Sequence, residues 1–458
     1  MKNLSLEEIA GAVGARVTGD AAGVYCRRVS TDTRTIAPGD LFFALAGERF
    51  DAHDFISLAV EKGAAAVVVS RLPAGGTVVP ALQVDDTLIA LQRLAAYNRR
   101  QFILPVVAVT GSNGKTTTKD LIASVLGGRY KTLKTTGNLN NHIGLPLTLL
   151  ELDETYGAAV LEMGMRGLGE IDLLARIAQP TIAVITNIGE THLERLGSIE
   201  NIAGAKSEVL YHLEPQGAAV LNGDDPWVRK IAAKFKGRVL FYGTGAENDI
   251  RAVDIKTADG QSTAFTVHYQ DRQAAVKLPV PGRHNVLNAL AAAGVGLVTG
   301  ISMEQIAAGL AGAELTAMRL EILETGTYKI INDAYNANPA SAKAALEVLA
   351  DQAGESRRVA VLGSMFELGE RAEPGHREVG AAAVQHGVEL LVTVGDLAEY
   401  IASGAVAKGM APDRVFRCQD NAGAMEVLRS RLKDGDVILV KGSRGMKMEE
   451  IVRGLTAG

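Results

Sequence analysis

The stretch from Val106 to Asp120 constrains the fold of this chain more than any other. Val106 to Val109 are four apolar residues, three of them valine, and they lead into a glycine-rich turn. A helix-compatible run of residues begins at Asp120. A strand, a loop and a helix in this order present backbone N–H groups and the positive end of a helix to an anion. The sequence therefore predicts a phosphate-binding loop that follows a buried strand.

The loop itself consists of Thr110, Gly111, Ser112, Asn113, Gly114, Lys115, Thr116 and Thr117. Gly111 and Gly114 allow positive φ angles and let the backbone approach a phosphate closely. Lys115 can reach β- and γ-phosphates, and Thr116 offers its hydroxyl to Mg²⁺. Val109 stands where the strict pattern has its first glycine, so this is a variant loop. A plain turn with a surface lysine is the alternative, which the Gly-Lys-Thr ending disfavours.

Length and composition narrow the class of protein. A chain of 458 residues suggests about three domains, and 47% hydrophobic with 22% charged residues is an ordinary globular composition. The net charge of −5 and the lack of a basic block argue against nucleic acid as a partner. Cys26 and Cys418 lie far apart, as in proteins of a reducing compartment. Neither a signal peptide nor a membrane-spanning stretch is visible, so we expect a cytoplasmic protein.

The spacing of strand and helix patterns predicts an α/β fold of three domains, at residues 1–101, 102–316 and 317–458. Strand-like runs separated by helical stretches predict a mostly parallel, P-loop-type sheet in the central domain. The last domain shows the same alternation of strands and helices and is expected to be a Rossmann-like, doubly wound sheet. It contains no G-x-G-x-x-G motif after a strand, so a nicotinamide cofactor is not supported.

Polar residues follow the predicted strands of the central domain, where ligands gather in parallel sheets. Glu162 ends one strand and could hold Mg²⁺ as a hard oxygen ligand, or simply begin a helix. His192 follows another strand and is either a ligand for metal or phosphate or a structural residue. Lys206 lies in a helical stretch and, on its own, is typical of a solvated helix face.

Two asparagine-rich segments can also bind a ligand. The loop from Thr135 to Gly144 contains Asn138 and Asn141, which suit substrate hydrogen bonding or a long turn. Asn285 lies one helical turn before another asparagine at the start of an alanine-rich helix that is predicted to run to about Gly294. Both amides can therefore face one ligand, unless they only cap the helix.

Polar groups cluster at strand ends in the outer domains as well. The run from Ser30 to Arg34 combines hydroxyls, a carboxylate and a guanidinium. It could bind a polar ligand such as a nucleotide sugar, or form an Asx turn with a surface ion pair. In the last domain the runs from Asn332 to Asn336 and from Lys441 to Arg444 follow strands. These runs predict a site at the edge of that sheet.

Taken together and in order, these motifs resemble the Mur ligase family of peptidoglycan synthesis. The phosphate loop is similar to the version found in that family, which accounts for the missing glycine. The similarity is greatest to the D-alanyl-D-alanine-adding members, on the runs Asp333–Pro339, Val361–Gly369 and Val440–Arg444. Ser364 replaces an aspartate and Ala52 a glycine that are usual there, and the Asp-Asn-Pro-Arg signature of the diaminopimelate-adding members is absent.

The resemblance implies an ATP-dependent ligase that joins D-Ala-D-Ala to UDP-N-acetylmuramoyl-tripeptide through an acyl phosphate. ATP and two Mg²⁺ ions would serve a monomeric enzyme that binds no nucleic acid. The alternatives are another ATP-dependent amide ligase, either tripeptide-forming or similar to folylpolyglutamate synthase, and a non-catalytic nucleotide-binding switch. Three domains that bring three ligands together also imply that the last domain rotates onto the central one when ATP binds.

The resemblance also implies a role for each matching residue. The catalytic residues would be Lys115, Glu162, His192 and Lys206. Magnesium would be held by Thr116, Glu162, His192 and a carbamylated Lys206. Beyond the phosphate loop, ATP would contact Asn285, Arg319, Asp333 and Asn336. The substrates, with the UDP end in the N-terminal domain, would contact Ser30, Thr31, Asp32, Arg34, Phe43, Gly47, Asn138, Asn141, Lys441, Ser443 and Arg444.

Overall fold

The computed structural model describes residues 1–47, 50–258 and 261–457. Three large sheets follow one another along the chain, and helices cover them. The family models and structures reported below agree with this arrangement, so the predicted α/β fold is confirmed. The residue numbers of the domain boundaries stay a prediction.

The N-terminal domain contains a five-stranded sheet in the order β2-β7-β6-β5-β4, in which the β2–β7 pair is antiparallel and the other pairs are parallel. β1 and β3 pair separately. The first helix begins at a capping box, as the sequence predicts, because the Ser5 and Glu8 side chains accept hydrogen bonds from each other's backbone N–H groups. The elements are β1 (Leu4–Ser5), α1 (Leu6–Val13), β2 (Arg16–Thr18), β3 (Tyr25–Cys26), β4 (Val29–Ser30), β5 (Leu41–Phe43), α2 (Ile56–Glu61), β6 (Ala66–Val69), β7 (Ala81–Gln83) and α3 (Thr87–Arg100).

The central domain is built on a nine-stranded sheet in the order β16-β15-β14-β13-β12-β11-β8-β10-β9. Its strands are β8 (Val106–Thr110), β9 (Thr132–Lys134), β10 (Ala158–Glu162), β11 (Ile182–Ile185), β12 (Ala218–Asn222), β13 (Arg238–Gly243), β14 (Ile250–Ala258), β15 (Ser262–Tyr269) and β16 (Arg272–Leu278). Its helices are α4 (Lys115–Gly127), α5 (Gly144–Leu149), α6 (Glu170–Ala178), α7 (Leu193–Leu196), α8 (Ile199–Ser207), α9 (Pro226–Ala232), α10 (Arg283–Val298) and α11 (Met303–Ala311).

The strand order of the central sheet positions the site. The neighbouring strands from β9 to β14 run parallel, and β14, β15 and β16 add an antiparallel edge. β8 lies between β10 and β11, so the chain leaves β8 toward one side of the sheet and later returns on the other side. Such a switch point leaves a crevice at the carboxyl ends of the strands, where ligands bind in open α/β sheets.

The last domain contains a six-stranded sheet in the order β17-β18-β22-β19-β20-β21, antiparallel only at β17–β18. Its strands are β17 (Glu321–Glu324), β18 (Lys329–Asp333), β19 (Arg358–Gly363), β20 (Leu390–Val394), β21 (Val415–Cys418) and β22 (Val437–Lys441). Its helices are α12 (Pro339–Ala353), α13 (Ala372–Gln385), α14 (Glu399–Ala407), α15 (Asn421–Arg431) and α16 (Glu449–Thr456).

Apolar packing continues from the central sheet into both neighbouring domains. Alternate residues of β8 point to opposite faces of the sheet. Val107 belongs to a buried cluster that also contains Leu346 of α12 in the last domain. Ala108 belongs to a second cluster that contains Leu91 of α3 in the N-terminal domain. The central sheet is therefore covered by apolar residues on both faces, and the three domains share their cores.

Candidate active site

The phosphate loop (residues 110–117) has the backbone that a phosphate cradle needs. Gly111 and Gly114 adopt φ angles of 147° and 79°, which favour glycine. A Cβ atom at Gly111 would collide with the side chain of Thr186, and one at Gly114 with that of Asn288. Lys115 opens α4, and its Nζ lies 2.8 Å from the carbonyl oxygen of Gly111. The glycines thus keep the cradle free of side-chain atoms.

Residues that follow β11 hold the phosphate loop in place. The backbone N–H of Ser112 donates to the carbonyl of Asn187 at 2.9 Å. The Asn187 side chain in turn accepts from the N–H of Asn113 at 2.9 Å, and the Thr186 hydroxyl donates to the carbonyl of Asn113 at 2.6 Å. Because its polar groups are bonded to an adjacent strand end, the loop is preorganised for a ligand.

Glu162, at the end of β10, lies beside the first turn of α4. Its side chain is buried and accepts two hydrogen bonds, from the Thr116 hydroxyl at 2.9 Å and from the Asn140 amide at 2.8 Å. The residue does not begin a helix, since α6 starts only at Glu170. A carboxylate and a hydroxyl at this distance are hard oxygen donors that suit Mg²⁺.

The donor set near Glu162 is small. Among residues 1–47, 50–258 and 261–457, no group of three or more histidine, cysteine, aspartate or glutamate side chains could hold a metal ion. Mg²⁺ sites that use phosphates of a nucleotide need only one or two protein carboxylates, because phosphate oxygens and water complete the shell. The residues present therefore fit an ion that is bound together with a nucleotide.

Two basic side chains, Lys115 and Arg319, act on the Thr116–Glu162 pair, and a third, Lys206, acts on Lys115. The Arg319 guanidinium donates to the Thr116 hydroxyl at 3.1 Å. Burial lowers the pKa of Lys115, which Glu162 partly restores and Arg319 lowers further. Burial together with the charge of Lys115 lowers the pKa of Lys206 well below its ordinary value. The positive charges of Lys115 and Arg319 in this partly buried site favour the binding of an anion.

Lys206 differs from its sequence-based interpretation. It lies on α8 with 2% of its surface exposed, so the prediction of a solvated lysine from the residue alone is wrong. α8 packs against α6, α7 and α9, and this tertiary packing is not revealed by the polarity of the helix sequence. A buried amine with a lowered pKa is the form of lysine that reacts with CO₂ or carbonyl compounds.

His192 lies in the segment between β11 and α7. Its Nδ1 is 2.9 Å from the Oε2 of Glu367, a residue of the last domain. Burial lowers the pKa of His192, Glu367 raises it, and the charges of Lys206 and Lys115 lower it again. The ring is therefore within electrostatic range of Lys115 and Lys206, and its role in binding metal stays a prediction.

The last domain also contacts the phosphate loop directly. Asn338 caps α12, and its side-chain amide donates to the Asn113 side chain at 2.6 Å. The Arg319 guanidinium stacks over the Tyr335 ring at 4.1 Å. Asp333 pairs with Lys441. These contacts bring residues of two domains to one crevice.

Several predicted residues of the last domain already have protein partners. Lys441 also donates to the carbonyl of Asn336 at 3.0 Å, and burial lowers its pKa although Asp333 opposes this. The Ser443 hydroxyl accepts from the backbone N–H of Phe366 at 2.9 Å. Arg444 pairs with Glu449 at 2.9 Å, and its side chain remains 53% exposed.

The two asparagines of α10 are bonded to protein atoms. Asn285 donates to the carbonyl of Pro281 at 2.7 Å and accepts from Asn288 at 3.0 Å. Asn288 accepts from the Thr118 hydroxyl at 3.1 Å, which ties α10 to α4 behind Gly114. In the described part of the chain, no side chain caps the start of α10 at Gly282, so these asparagines do not cap the helix. The adenine contact of Asn285 stays a prediction.

The segment from Ser30 to Arg34 forms an Asx turn with an ion pair, which is one of the two structures that the sequence predicts for it. The Asp32 carboxylate accepts from the Arg34 backbone at 2.8 Å and pairs with its guanidinium at 2.6 Å. These hydrogen bonds lower the pKa of Asp32 to about 2. In the part of the chain that the structure describes, no hydrogen bond joins residues 30–34 to the phosphate loop. Their role in substrate binding stays a prediction.

The remaining predicted substrate residues differ in exposure. The Phe43 side chain is fully buried in the core, so only its backbone can reach a ligand. Gly47 is exposed and donates to the carbonyl of Phe50 at 2.8 Å. Asn138 and Asn141 are exposed, and the Asn141 side chain accepts from backbone N–H groups at the start of α5.

The structure adds four groups of residues to the site that the sequence did not single out. They are Asn140 on Glu162, Thr186 with Asn187 on the phosphate loop, Asn338 on Asn113, and Glu367 on His192. Thr186 and Asn187 were visible in the sequence as polar residues after a predicted strand, but without an assigned role. The other contacts join parts of the chain that are distant in sequence, so no local pattern marks them.

Comparison with known families identifies each part of the chain. Residues 26–99 match the Mur ligase family, catalytic domain; residues 109–296 match the Mur ligase middle domain; residues 318–444 match the Mur ligase, glutamate ligase domain. The chain belongs to the Mur ligase family and is an ATP-dependent enzyme of that family. The resemblance stated from the motifs is therefore confirmed.

Similar proteins within the family narrow the comparison to one kind of Mur ligase. UDP-N-acetylmuramoyl-tripeptide–D-alanyl-D-alanine ligases of Bacillus subtilis (strain 168) and Escherichia coli (strain K12) are 44% and 39% identical. The alignments cover 93% and 96% of this chain and 92% and 95% of the relatives. The crystal structure of MurF from Acinetobacter baumannii has a TM-score of 0.91 at 35% identity over 100% of both chains. MurF ligase from Thermotoga maritima, solved with ADP, has a TM-score of 0.83 at 30% identity, over 94% of this chain and 97% of that one.

Within residues 1–47, 50–258 and 261–457, no helix is both long and apolar enough to cross a membrane.

Proposed function

We propose that this enzyme joins D-Ala-D-Ala to a UDP-N-acetylmuramoyl-tripeptide, with ATP as the source of energy, to make the pentapeptide precursor of peptidoglycan. Relatives of that name align with nearly the whole chain. The structural observation that carries the proposal is the cluster of Lys115 and Arg319 beside the Thr116–Glu162 pair. This cluster is built to hold phosphates beside an anionic substrate.

The proposed reaction has an electrostatic barrier, which the positive charges of this cluster lower. A carboxylate is a poor acyl electrophile because its negative charge repels nucleophiles. Transfer of the γ-phosphoryl group of ATP onto the tripeptide carboxylate gives an acyl phosphate, which the amine of D-Ala-D-Ala attacks with release of phosphate. Lys115 and Arg319 neutralise charge on the phosphates, and the braced loop fixes their position. Positioning and charge neutralisation are thus the main tasks of the protein.

Metal binding and the remaining predicted contacts belong to the same proposal. Thr116 and Glu162 would hold Mg²⁺, with His192 beside them, and a carbamylated Lys206 would hold a second ion. Bound Mg²⁺ supplies positive charge that lets two anions approach each other. The N-terminal domain takes the UDP end of the substrate, and the last domain brings in the dipeptide. The enzyme acts as a monomer in the cytoplasm.

A coupled assay of ADP release tests this function. We expect ADP release only when UDP-N-acetylmuramoyl-tripeptide and D-Ala-D-Ala are both present. Lys115→Ala removes a buried cation at the phosphates, so kcat/KM should fall roughly 100- to 1,000-fold. The matched control is Lys343→Ala, a lysine of α12 that is 43% exposed and pairs with Glu378, and it should retain full activity.

Other outcomes of the same assay select the rival functions. ADP release with single amino acids in place of the dipeptide would indicate a tripeptide-forming ligase or one similar to folylpolyglutamate synthase. ATP hydrolysis that needs neither acceptor would indicate a nucleotide-binding switch. Full ligation by a folded Lys115→Ala enzyme would contradict the assignment of the phosphate loop.

A further inference from the structure

A carboxylate of the last domain contacts the histidine beside the phosphate loop. Glu367 Oε2 lies 2.9 Å from Nδ1 of His192, and Oε1 lies 4.0 Å from Nε of Arg166. His192 and Arg166 belong to the central domain, in the segments after β11 and β10. The Glu367–His192 contact therefore exists only while the two domains are docked.

Both partners of this contact have backbones in the left-handed region. The φ angle is 64° at Glu367 and 58° at His192. Residues other than glycine seldom adopt such angles, and they keep them where surrounding contacts impose the conformation. The placement of both side chains is therefore set by the fold around them rather than by local preference.

The segment that carries Glu367 is anchored inside the last domain. The backbone N–H of Met365 donates to Nε2 of His376 at 2.9 Å. The N–H of Phe366 donates to the Ser443 hydroxyl at 2.9 Å. Two consecutive residues before Glu367 are thus fixed by buried side chains, so that the carboxylate projects from a rigid support.

The residues that follow Glu367 fasten this segment to the central domain. A Cβ atom at Gly369 would lie only 3.0 Å from the Cα of Glu194, which shows how closely the two backbones approach. Arg371 donates to the Glu190 carboxylate at 2.9 Å. Glu190 and Glu194 flank His192 in the sequence, so the docking contacts bracket the histidine.

The hydrogen bond determines which nitrogen of His192 is free. A carboxylate can only accept, so a neutral His192 ring must carry its hydrogen on Nδ1. The lone pair then lies on Nε2. Proteins commonly orient histidine ligands in this way, with a carboxylate on the N–H and the other nitrogen left for a metal. Thr191, the residue before His192, donates to the Ser112 hydroxyl of the phosphate loop at 3.2 Å, and the charges of Lys115 and Lys206 act on the ring.

We infer that Glu367 is a positioning residue, which orients His192 toward the nucleotide site only when the last domain is docked. This inference rests on the proposed function, since it requires nucleotide phosphates next to Lys115. Docking then completes the phosphoryl-transfer site at the moment when the dipeptide-binding domain is in place. The acyl phosphate is consequently formed where the amine is ready, and its loss to water is limited.

Histidine NMR tests the inference without relying on turnover. Enzyme labelled with ¹⁵N-histidine is saturated with Mg²⁺ and a non-hydrolysable ATP analogue, and His192→Gln assigns the signal. We expect the Nδ1–H form of His192 in the native enzyme and a shift toward the Nε2–H form in Glu367→Ala. The same form in both proteins would overturn the inference. Failure of the analogue to bind would instead contradict the proposed function.

Kinetics provide the second measurement. Glu367→Ala and His192→Gln should each lower kcat by about 10- to 100-fold, with little change in KM for ATP. The double variant should be no slower than the slower single one, because both changes remove the same effect. Glu367→Gln, which keeps an acceptor oxygen, should restore part of the rate. If the losses of kcat in the two single variants multiplied in the double variant, the inference would be overturned.

The matched control separates orientation of His192 from docking strength. Arg371→Gln removes the ion pair to Glu190 at the same interface and leaves Glu367 on His192. We expect it to keep the Nδ1–H form of His192. If it reproduced both the tautomer change and the loss of kcat, weakened docking would explain the results and the role of Glu367 would be rejected. Thermal melting of every variant confirms that it is folded.

Discussion

At the residue scale, the site shows how the same side chain acquires different chemistry from its partners. Lys119 and Lys206 are both buried, each with 2% of its surface exposed. Lys119 donates to the carbonyl of Thr135 at 2.9 Å and lies 3.2 Å from Asp120, so its positive charge is compensated. Lys206 has Lys115 as its charged neighbour instead, which favours the neutral amine.

This contrast predicts that Lys206 is the lysine that becomes carbamylated. Carbamate formation requires a neutral amine, and the lowered pKa of Lys206 provides it at a pH where exposed lysines are protonated. Protein equilibrated with ¹³C-labelled bicarbonate should show a carbamate signal by ¹³C NMR. Lys206→Gln should abolish the signal and Lys343→Gln should retain it. An active native enzyme without any such signal would refute the prediction.

Residue identity alone predicted only part of these contacts. The asparagine-rich loop was expected to act through Asn138 and Asn141, but Asn140 is the residue that contacts Glu162. Three asparagines within four positions cannot be distinguished by composition, because the path of the loop decides which one points inward. The phosphate loop was easier to predict, since its function depends on the backbone and on glycines that are visible in the sequence.

At the element scale, α4 connects the phosphate loop to the segment between the central and last domains. Asp120 lies in the second turn of α4, and its carboxylate accepts from the backbone N–H of Thr316 at 2.9 Å and from its hydroxyl at 2.7 Å. Lys134 donates to the other oxygen at 2.8 Å. The buried carboxylate of Asp120 thus holds Thr316 in place, and Arg319 follows three residues later in the chain.

Asp120 should therefore make a pH-dependent contribution to stability. Burial raises its pKa, but Lys119, Lys134 and Thr316 outweigh this, so the folded-state pKa lies below the ordinary value of 3.8. The stabilisation is then present above 3.8 and is lost as the pH falls through the folded-state pKa. Asp120→Asn should lower the free energy of unfolding at pH 7 by roughly 3 kcal/mol.

Urea denaturation measures this effect. The difference between native protein and Asp120→Asn should shrink as the pH falls from 7 toward the range in which Asp120 is protonated. The control is Asp434→Asn, at an exposed aspartate, which should change the free energy of unfolding little at either pH. A difference that stays constant with pH would show that packing, and not the charge of Asp120, accounts for the loss.

Elements with strong local patterns were predicted well. The bounds Thr87–Arg100 of α3 follow from local signals, since its capping residue Asp86 and its apolar spacing lie within the segment itself. The alanine-rich helix α10 continues beyond Gly294 to Val298, since buried packing sustains it past the glycines. The antiparallel strands β14, β15 and β16 were not predicted, although Phe265, Val267, Val276 and Leu278 alternate with more exposed residues as strands do.

At the scale of the whole molecule, the last domain meets the site through few polar contacts. Asn338 on Asn113, Arg319 on Thr116 and Arg371 on Glu190 are individual hydrogen bonds or partly exposed ion pairs. Exposed pairs of this kind contribute at most about 1 kcal/mol each. Nucleotide phosphates would add a strong partner for Arg319, so their binding should favour docking.

We therefore predict that the enzyme becomes more compact when nucleotide binds. Small-angle scattering with Mg²⁺ and a non-hydrolysable ATP analogue should give a smaller radius of gyration than the enzyme alone. Lys115→Ala, which weakens phosphate binding, should require a higher analogue concentration for the same change. One unchanged scattering curve for the native enzyme, under conditions where binding is measured independently, would contradict domain rotation.

The two kinds of contact between the central and last domains respond differently to their surroundings. The shared apolar core, which joins the central sheet to α12, is insensitive to dissolved ions, whereas the Arg371–Glu190 pair is partly exposed and is screened by them. Rising ionic strength should consequently weaken the polar contacts on the open side of the crevice, while the apolar core between the two domains stays packed. The two domains then separate by rotation about their shared apolar core, and the ionic strength of the medium sets how often the crevice closes.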